Sequence, residues 1–477
     1  MPASLRYNAS VLKKIRLKNF KLHENTEIEA GRITVFIGPN NSGKSSIFQA
    51  LLALKTAARS GGDDLVRRHR REAPPPAAQP VQAEWGLNSL VRPTELPPFL
   101  YGAGQPIVDL GEEYEELLHD PSRELQVGAD IELPPDANAT TVFLAMGALR
   151  LSFDTWFREN RLARHTGWLG CNYGQTAPWA WKAMDARPAE TVRLMVPHYG
   201  GELYVNPGNS LANPFFCGVQ FKQPPLDTDL LPTQNELNRL LNLWGRFLDS
   251  LRFIHQLRGF EEWGYPTTEY PAHESLDRLV LSDRATALTN LLGANARLRT
   301  QISERLKKLV HIGIEFETAS AHRGKVWATA ETGRPETLFV NEGSGASQLP
   351  FILVPIALAQ PGDTVIVSEP EAHLHPKAQS QLTAMLLEIS RKADLQFFIE
   401  THSEHVLHRL LHAVANGELA HDDLTIYYFP EPAEGKAGPR LLKIDEQGGV
   451  EGGLPGFFDQ SLDELTEYLE ALKQPKK

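Results

Sequence analysis

The segment Gly38-Pro39-Asn40-Asn41-Ser42-Gly43-Lys44-Ser45 constrains this chain more than any other. It fits the pattern GxxxxGK[ST] and directly follows the apolar run Ile33-Thr34-Val35-Phe36-Ile37. That run reads as a buried strand, and the apolar periodicity from Ile47 to Leu54 reads as the helix after it. Strand, glycine-rich turn and helix in that order make a phosphate-binding loop. Glycines at both ends let the backbone curl so that successive amides face phosphate oxygens, and the helix adds its N-terminal dipole. The nucleotide-contacting set is then Gly38, Pro39, Asn40, Asn41, Ser42, Gly43, Lys44, Ser45 and Ser46, with Lys44 on the outer phosphates and Ser45 on Mg²⁺.

Upstream, Leu12 to Leu17 alternate, and Thr26 to Ala30 lead through Gly31 into the strand, giving a strand, turn, strand opening. The pattern then dissolves between Ser60 and Gln82, where the basic run Arg67-Arg68-His69-Arg70-Arg71 precedes a Pro/Ala-rich segment. This reads as an exposed insertion whose four arginines are either a solvated face or contacts to DNA phosphates. Pro106 to Leu110 and Leu125 to Leu133 read as strands around the acidic helical piece Glu112 to Leu118. Val142 to Gln223 is rich in Trp, Tyr, Gly and Pro and lacks coiled-coil heptads, so it reads as an accessory lobe whose aromatics serve packing more readily than base stacking. Asn235 to Leu257 and Leu276 to Leu309 read as helices. The expected division is 1–133 as the first part of a nucleotide-binding head, 134–309 as accessory lobe and helical region, and 310–477 as the rest of the head.

From Val310 the α/β pattern resumes, with candidate strands at Ile312 to Glu317 and Lys325 to Thr329. Asn341 to Gln348 then offers glycine and serine at the start of an apolar helix, a second place where backbone amides face an anion. Thr364 to Val367 is an apolar strand running into Ser368-Glu369-Pro370-Glu371-Ala372-His373-Leu374-His375-Pro376, and Leu395 to Ile399 is another running into Glu400-Thr401-His402-Ser403. Every acid and histidine of interest therefore sits at the C-terminal end of an expected strand, which is where open parallel sheets bind ligands.

Composition narrows the partners. A net charge of −11 leaves no general basic coat for nucleic acid, so any DNA contact must come from a local patch. Cys171 and Cys217 are the only cysteines, and no leader-like segment opens the chain, which points to a reducing cytoplasm. The longest apolar run, Leu349 to Ala359, contains Pro350 and Pro355 and is too short to span a membrane.

Phosphate loop, glycine/serine segment, strand ending in Glu-Pro and histidine after the next strand, in that order, resemble the ABC-type ATPase head. More narrowly they resemble the RecF and OLD (overcoming lysogenisation defect) ATPases and a group of bacterial AAA-type ATPases. Gly38 to Ser45, Gly343 to Gln348, Glu369 to Pro376, Glu400 to His405 and Gly456 to Asp459 carry the likeness. It covers roughly the first sixty residues and Val310 onward. The resemblance implies an α/β fold: a mixed sheet flanked by helices, with an inserted accessory lobe. It implies ATP and Mg²⁺ as cofactors and a homodimer that sandwiches two ATP molecules, each closed by Ser344, Gly345 and Gln348 of the other copy. It casts Glu369 as the carboxylate acting on the attacking water and His402 as the histidine sensing the γ-phosphate. It further implies a nucleotide-gated switch acting on DNA or on a separate effector or nuclease protein, in phage defence or DNA maintenance. Only about 70 residues follow His402, too few for the nuclease domain of OLD proteins at ordinary domain sizes, so no nuclease is expected in this chain.

One departure stands out. The residue before the catalytic glutamate is acidic in that family and helps to hold Mg²⁺, but here it is Ser368. With no charge from Ser368, the metal would rest on Ser45, the phosphates, water and help from Glu371, and hydrolysis would be slow. The alternative is a scaffold that binds nucleotide without productive turnover. A small-molecule kinase would need an acceptor pocket that nothing in the sequence marks. A metal site at Glu371, His373 and His375 would need further ligands at suitable spacing. The glutamine that closes on the nucleotide is not placed, Gln105 being a guess.

Overall fold

The computed structural model describes residues 11–55, 114–132, 148–158, 161–171, 180–182, 192–196, 201–205, 247–256, 258–267, 284–320, 323–330, 336–431 and 438–454. The basic run, Gln105, the strand expected at Pro106 to Leu110, Cys217 and Gly456 to Asp459 lie outside these residues.

The chain divides into two units. The first comprises Met1–Glu29, Ser46–Leu251 and Pro361–Thr364. It holds an eight-stranded antiparallel sheet in the order β2-β1-β4-β5-β6-β7-β8-β9. The strands are β1 Val11–Phe20, β2 His23–Glu29, β4 Leu125–Glu132, β5 Ala148–Arg158, β6 Arg161–Cys171, β7 Ala180–Lys182, β8 Val192–Val196 and β9 Gly201–Val205. The stretch expected as an accessory lobe thus contributes β5 to β9 to the sheet that β1 begins. Alternation buries Ile15 and Leu17 of β1 with Val127, Ala129 and Ile131 of β4. Arg16 points to the other face, where its guanidinium binds Asp154 at 2.9 Å, Asp130, and the carbonyl of Phe153 at 3.0 Å. A cation among two carboxylates and a carbonyl fixes the register of three adjacent strands.

The second unit comprises Ala30–Ser45, Arg252–Gln360 and Val365–Lys477. Its main sheet runs β10-β15-β16-β3-β17-β18, from β3 Ile33–Ile37, β10 Leu251–Ile254, β15 Thr364–Ser368, β16 Gln396–Glu400, β17 Leu424–Tyr428 and β18 Arg440–Leu442. β16 and β17 flank β3 in parallel, while β18 closes the edge antiparallel to β17. All five residues of β3 are buried, as a central parallel strand covered on both faces requires. A smaller antiparallel sheet, β11-β13-β12 with β14 on β13, joins β11 Tyr265–Pro266, β12 Ile312–Ser320, β13 Arg323–Ala330 and β14 Thr337–Leu338.

Helices Arg284–Ala294, Ala296–Val310, Ser344–Leu358, Pro376–Ala393 and Glu404–Ala415 supply the other side of the core. Ile302, Leu306, Ile352, Leu386 and Leu410 join Val35, Val365 and Ile399 in one buried cluster. The mixed α/β class with sheets flanked by helices is as the sequence implies. Of the helix expected over Asn235 to Leu257 the described residues are 247–256, and there a helical stretch at 247–250 gives way to β10. The apolar residues Leu251, Phe253 and Ile254 that suggest a helix face instead bury as strand residues beside β15.

Candidate functional site

The site lies in the second unit, at the C-terminal ends of β3, β15 and β16, with the loop after β10. β3 runs into the phosphate loop with Gly38 at φ 139° and Gly43 at φ 96°. A β-carbon on Gly38 would lie 2.2 Å from the carbonyl oxygen of Phe429, so both backbone freedom and space require glycine there. The helix after the loop begins at residue 44 and is described over 44–55.

Lys44 is buried, and its ammonium donates to the carbonyls of Pro39 at 2.6 Å and Gly38 at 3.0 Å. Ser42 caps the same loop, its hydroxyl donating to the Pro39 carbonyl at 2.9 Å. Burial lowers the Lys44 pKa, and the negative charges of Glu400 and Glu369 act against that shift. The ammonium therefore sits where anions converge.

The end of β15 is strained. Glu369 adopts φ 45°, a left-handed conformation that costs a non-glycine residue about 1–2 kcal/mol. Three contacts hold it there. Its N–H donates to the Glu400 carbonyl at 2.7 Å, and Arg258 donates to the carbonyls of Glu369 at 2.6 Å and Ser368 at 2.9 Å. Gln256 donates to Glu369 Oε2 at 2.7 Å. Backbone strain held by surrounding groups at a strand end is characteristic of functional positions.

Glu369 Oε1 lies 3.9 Å from Nε2 of His402. Burial, then the charge of Lys44, lowers the His402 pKa, so its imidazole is neutral at pH 7. The next residue, Ser403, accepts from the Val406 N–H at 3.2 Å and caps the helix Glu404–Ala415.

Glu400 closes β16 and is buried, with Oε1 accepting from the Ser45 hydroxyl at 2.5 Å. Burial raises the Glu400 pKa, and Ser45, the charge of Lys44 and Ser368 act against that shift. Glu371 is turned elsewhere: its Oε1 accepts from the Thr401 hydroxyl at 2.7 Å and from the His402 N–H at 2.9 Å. These bonds engage Oε1 and leave Glu371 Oε2 buried without a hydrogen-bond partner, while the carboxylate that accepts from Ser45 is Glu400. His375 likewise serves as a helix cap, accepting from the Lys377 N–H at 3.3 Å ahead of Pro376. Among the described residues no group of three or more His, Cys, Asp or Glu could hold a metal ion by itself.

Ser344, Gly345 and Gln348 open the helix Ser344–Leu358, and Ser344 is exposed. A β-carbon on Gly345 would lie 2.4 Å from the His373 carbonyl, and Gln348 donates to the Ala372 carbonyl. Within one chain this segment therefore packs on the loop after β15. That loop and the start of the helix Glu404–Ala415 line an open cleft of about 470 Å³ that includes Glu369, Glu371, His373, His402 and His405.

Three residues of this arrangement escape sequence reasoning. Glu400 sits inside a segment already marked for its histidine, yet its acidity at a strand end beside the loop was a usable signal. Gln256 and Arg258 follow β10, whose apolar residues read as a helix face in the sequence, and no sequence signal marks them.

Two family models match the chain. Residues 11–73 match the family described as "AAA ATPase domain", and residues 247–408 match the one described as "AAA domain, putative AbiEii toxin, Type IV TA system". Comparison with curated proteins gives no match. Among solved structures, an Smc head domain with an extended coiled coil bound to the C-terminal domain of ScpA, from Pyrococcus furiosus, is 10% identical, with 98% of this chain and 100% of that chain covered and a TM-score of 0.43. An SMC head domain from Thermotoga maritima is 13% identical over 91% of this chain and 99% of that one, with a TM-score of 0.37. An SmcHead bound to the C-winged helix domain of ScpA is 12% identical over 92% and 96%, at 0.39. Likenesses at these TM-scores assign nothing. The first family match holds the phosphate loop and the second holds Gln256, Arg258, Glu369, Glu400 and His402, so the chain is similar to AAA-type ATPase domains in both stretches that build the site.

Proposed function

We propose that the chain binds and hydrolyses ATP and uses the nucleotide as a switch that joins two copies. The observation that supports this most is the convergence of Lys44, Glu369 and His402 at adjoining strand ends, with Glu369 held at a strained backbone. The loop amides and Lys44 take the phosphates. Glu369 orients the attacking water and accepts its proton, and neutral His402 offers an N–H to the γ-phosphate.

Mg²⁺ fits the residues present: the Ser45 hydroxyl can give it a lone pair, and a carboxylate already holds that hydroxyl's proton. When bound, the ion neutralises phosphate charge that would otherwise repel the water.

In this reading Ser344 and Gly345 of one copy close on the nucleotide held by the other, so the exposed start of the helix Ser344–Leu358 is the complementary half of the site. The output goes to DNA or to a separate effector, in defence or genome maintenance of the RecF/OLD kind. The toxin system named in the second family description favours an effector protein. Light scattering of wild type and Lys44→Ala with and without ATP tests the switch. Wild type should double in mass only with ATP and the variant should not; equal masses in all four conditions would refute it. Phosphate release by wild type, absent in Glu369→Gln, tests the chemistry, and activity indifferent to that change would leave only a nucleotide-bound scaffold.

A further inference from the structure

Resting on the nucleotide reading above, we propose that Glu400 is the carboxylate that supports the nucleotide's divalent cation, taking the place of the acidic residue that Ser368 replaces. Two independent observations carry this. First, the Ser45 hydroxyl donates to Glu400 Oε1 at 2.5 Å. A hydroxyl that gives its lone pair to a cation keeps a proton that needs an acceptor, and a carboxylate in that place orients the ligand and adds negative charge behind it.

Second, Glu400 is 3% exposed and its other oxygen, Oε2, is buried with no hydrogen-bond partner. A buried carboxylate oxygen left without a partner is costly, and a cation or a water in its shell is what such an oxygen lacks.

Lys44 offers a competing use for Glu400, as a simple counter-ion. Its ammonium, however, is hydrogen-bonded to the carbonyls of Gly38 and Pro39, while Glu400 Oε1 is committed to Ser45. The acid is placed on the metal-ligating hydroxyl rather than on the lysine.

The test measures the affinity of a fluorescent non-hydrolysable ATP analogue in Mn²⁺ and in EDTA, with electron paramagnetic resonance of the Mn²⁺. Wild type should gain affinity from Mn²⁺, and Glu400→Gln should lose about tenfold of that gain while binding in EDTA stays within about threefold. Ser368→Asp added to Glu400→Gln should recover most of the loss. A Glu400→Gln protein with the wild-type Mn²⁺ gain, or one whose binding falls equally in EDTA, overturns the assignment. Ser368→Asp alone gives a second arm that does not depend on Glu400→Gln folding. With the charge already supplied, it should leave the gain unchanged within about twofold, and a tenfold rise would overturn the assignment. Wild type that binds the analogue without any Mn²⁺ gain refutes the role of Glu400 alone; wild type that binds none refutes the nucleotide reading with it.

Discussion

β15 and β16 are neighbours in one sheet, and each ends in a glutamate, yet the two acids are built in opposite ways. Glu369 stands on a left-handed backbone, with its carboxylate near His402 and in reach of Gln256. Glu400 continues a regular strand, is buried, and holds the hydroxyl of Ser45. An acid that must meet a water needs access and tolerates strain; one that must steady a cation's ligand needs burial and a fixed partner. In the proposed reading, two adjacent strand ends divide work that the ABC-type pattern this sequence resembles assigns to two consecutive residues on one strand. Glu371 ties the ends together, since it belongs to the loop after β15 and binds Thr401 and His402 after β16.

This contrast can be broken at several points. Glu369→Gln should have the largest effect, lowering phosphate release by about 10²–10³-fold with nucleotide affinity nearly unchanged, as read in a single-turnover assay. If affinity falls as far as turnover, the two acids are not divided as described. Lys44→Ala should weaken nucleotide binding by about 100-fold, measured by calorimetry, because it removes charge-assisted bonds to phosphate. Arg258→Lys keeps the charge but loses the fork that holds two successive carbonyls, and should lower turnover about tenfold while unfolding about 1–2 kcal/mol more easily in urea.

The smallest effect tests the tie. Burial raises the pKa of Glu371 above its ordinary 4.5, with the bonds from Thr401 and His402 acting against the shift. The native state therefore holds this proton where the unfolded chain has released it, and stability contributed by the group falls as pH rises from about 4.5 through the raised value. Glu371→Gln should remove that loss, so the variant's melting temperature relative to wild type should climb as pH rises across this window. A flat difference would mean that the carboxylate is already well compensated.

Much of this was legible in the sequence. The apolar run Ile33 to Ile37 and the glycines around it announce a central strand and its turn, and the structure puts that strand between β16 and β17. Glu369 and His402 could be marked because each follows an apolar run. The charge balance at the cation could not be read, because it depends on a side-chain contact between residues 355 positions apart. From the sequence, Ser368 looks like a loss; in three dimensions an acid one strand over, Glu400, accepts from the hydroxyl of Ser45. Gln256 and Arg258 were hidden for another reason. Short apolar strands and helix faces share a pattern, and only the pairing of β10 with β15 decides between them.

The way Lys44 is held has a consequence for affinity. Its ammonium already makes bonds to its own loop, at 2.6 and 3.0 Å, so an arriving phosphate competes with an internal ligand instead of meeting a bare charge. Net affinity is then the difference between two sets of bonds, and substitutions that loosen the grip of Pro39 and Gly38 on the lysine should tighten nucleotide binding. In the proposed reading the loop competes weakly with its own ligand, which raises the nucleotide concentration needed for half-saturation by a constant factor.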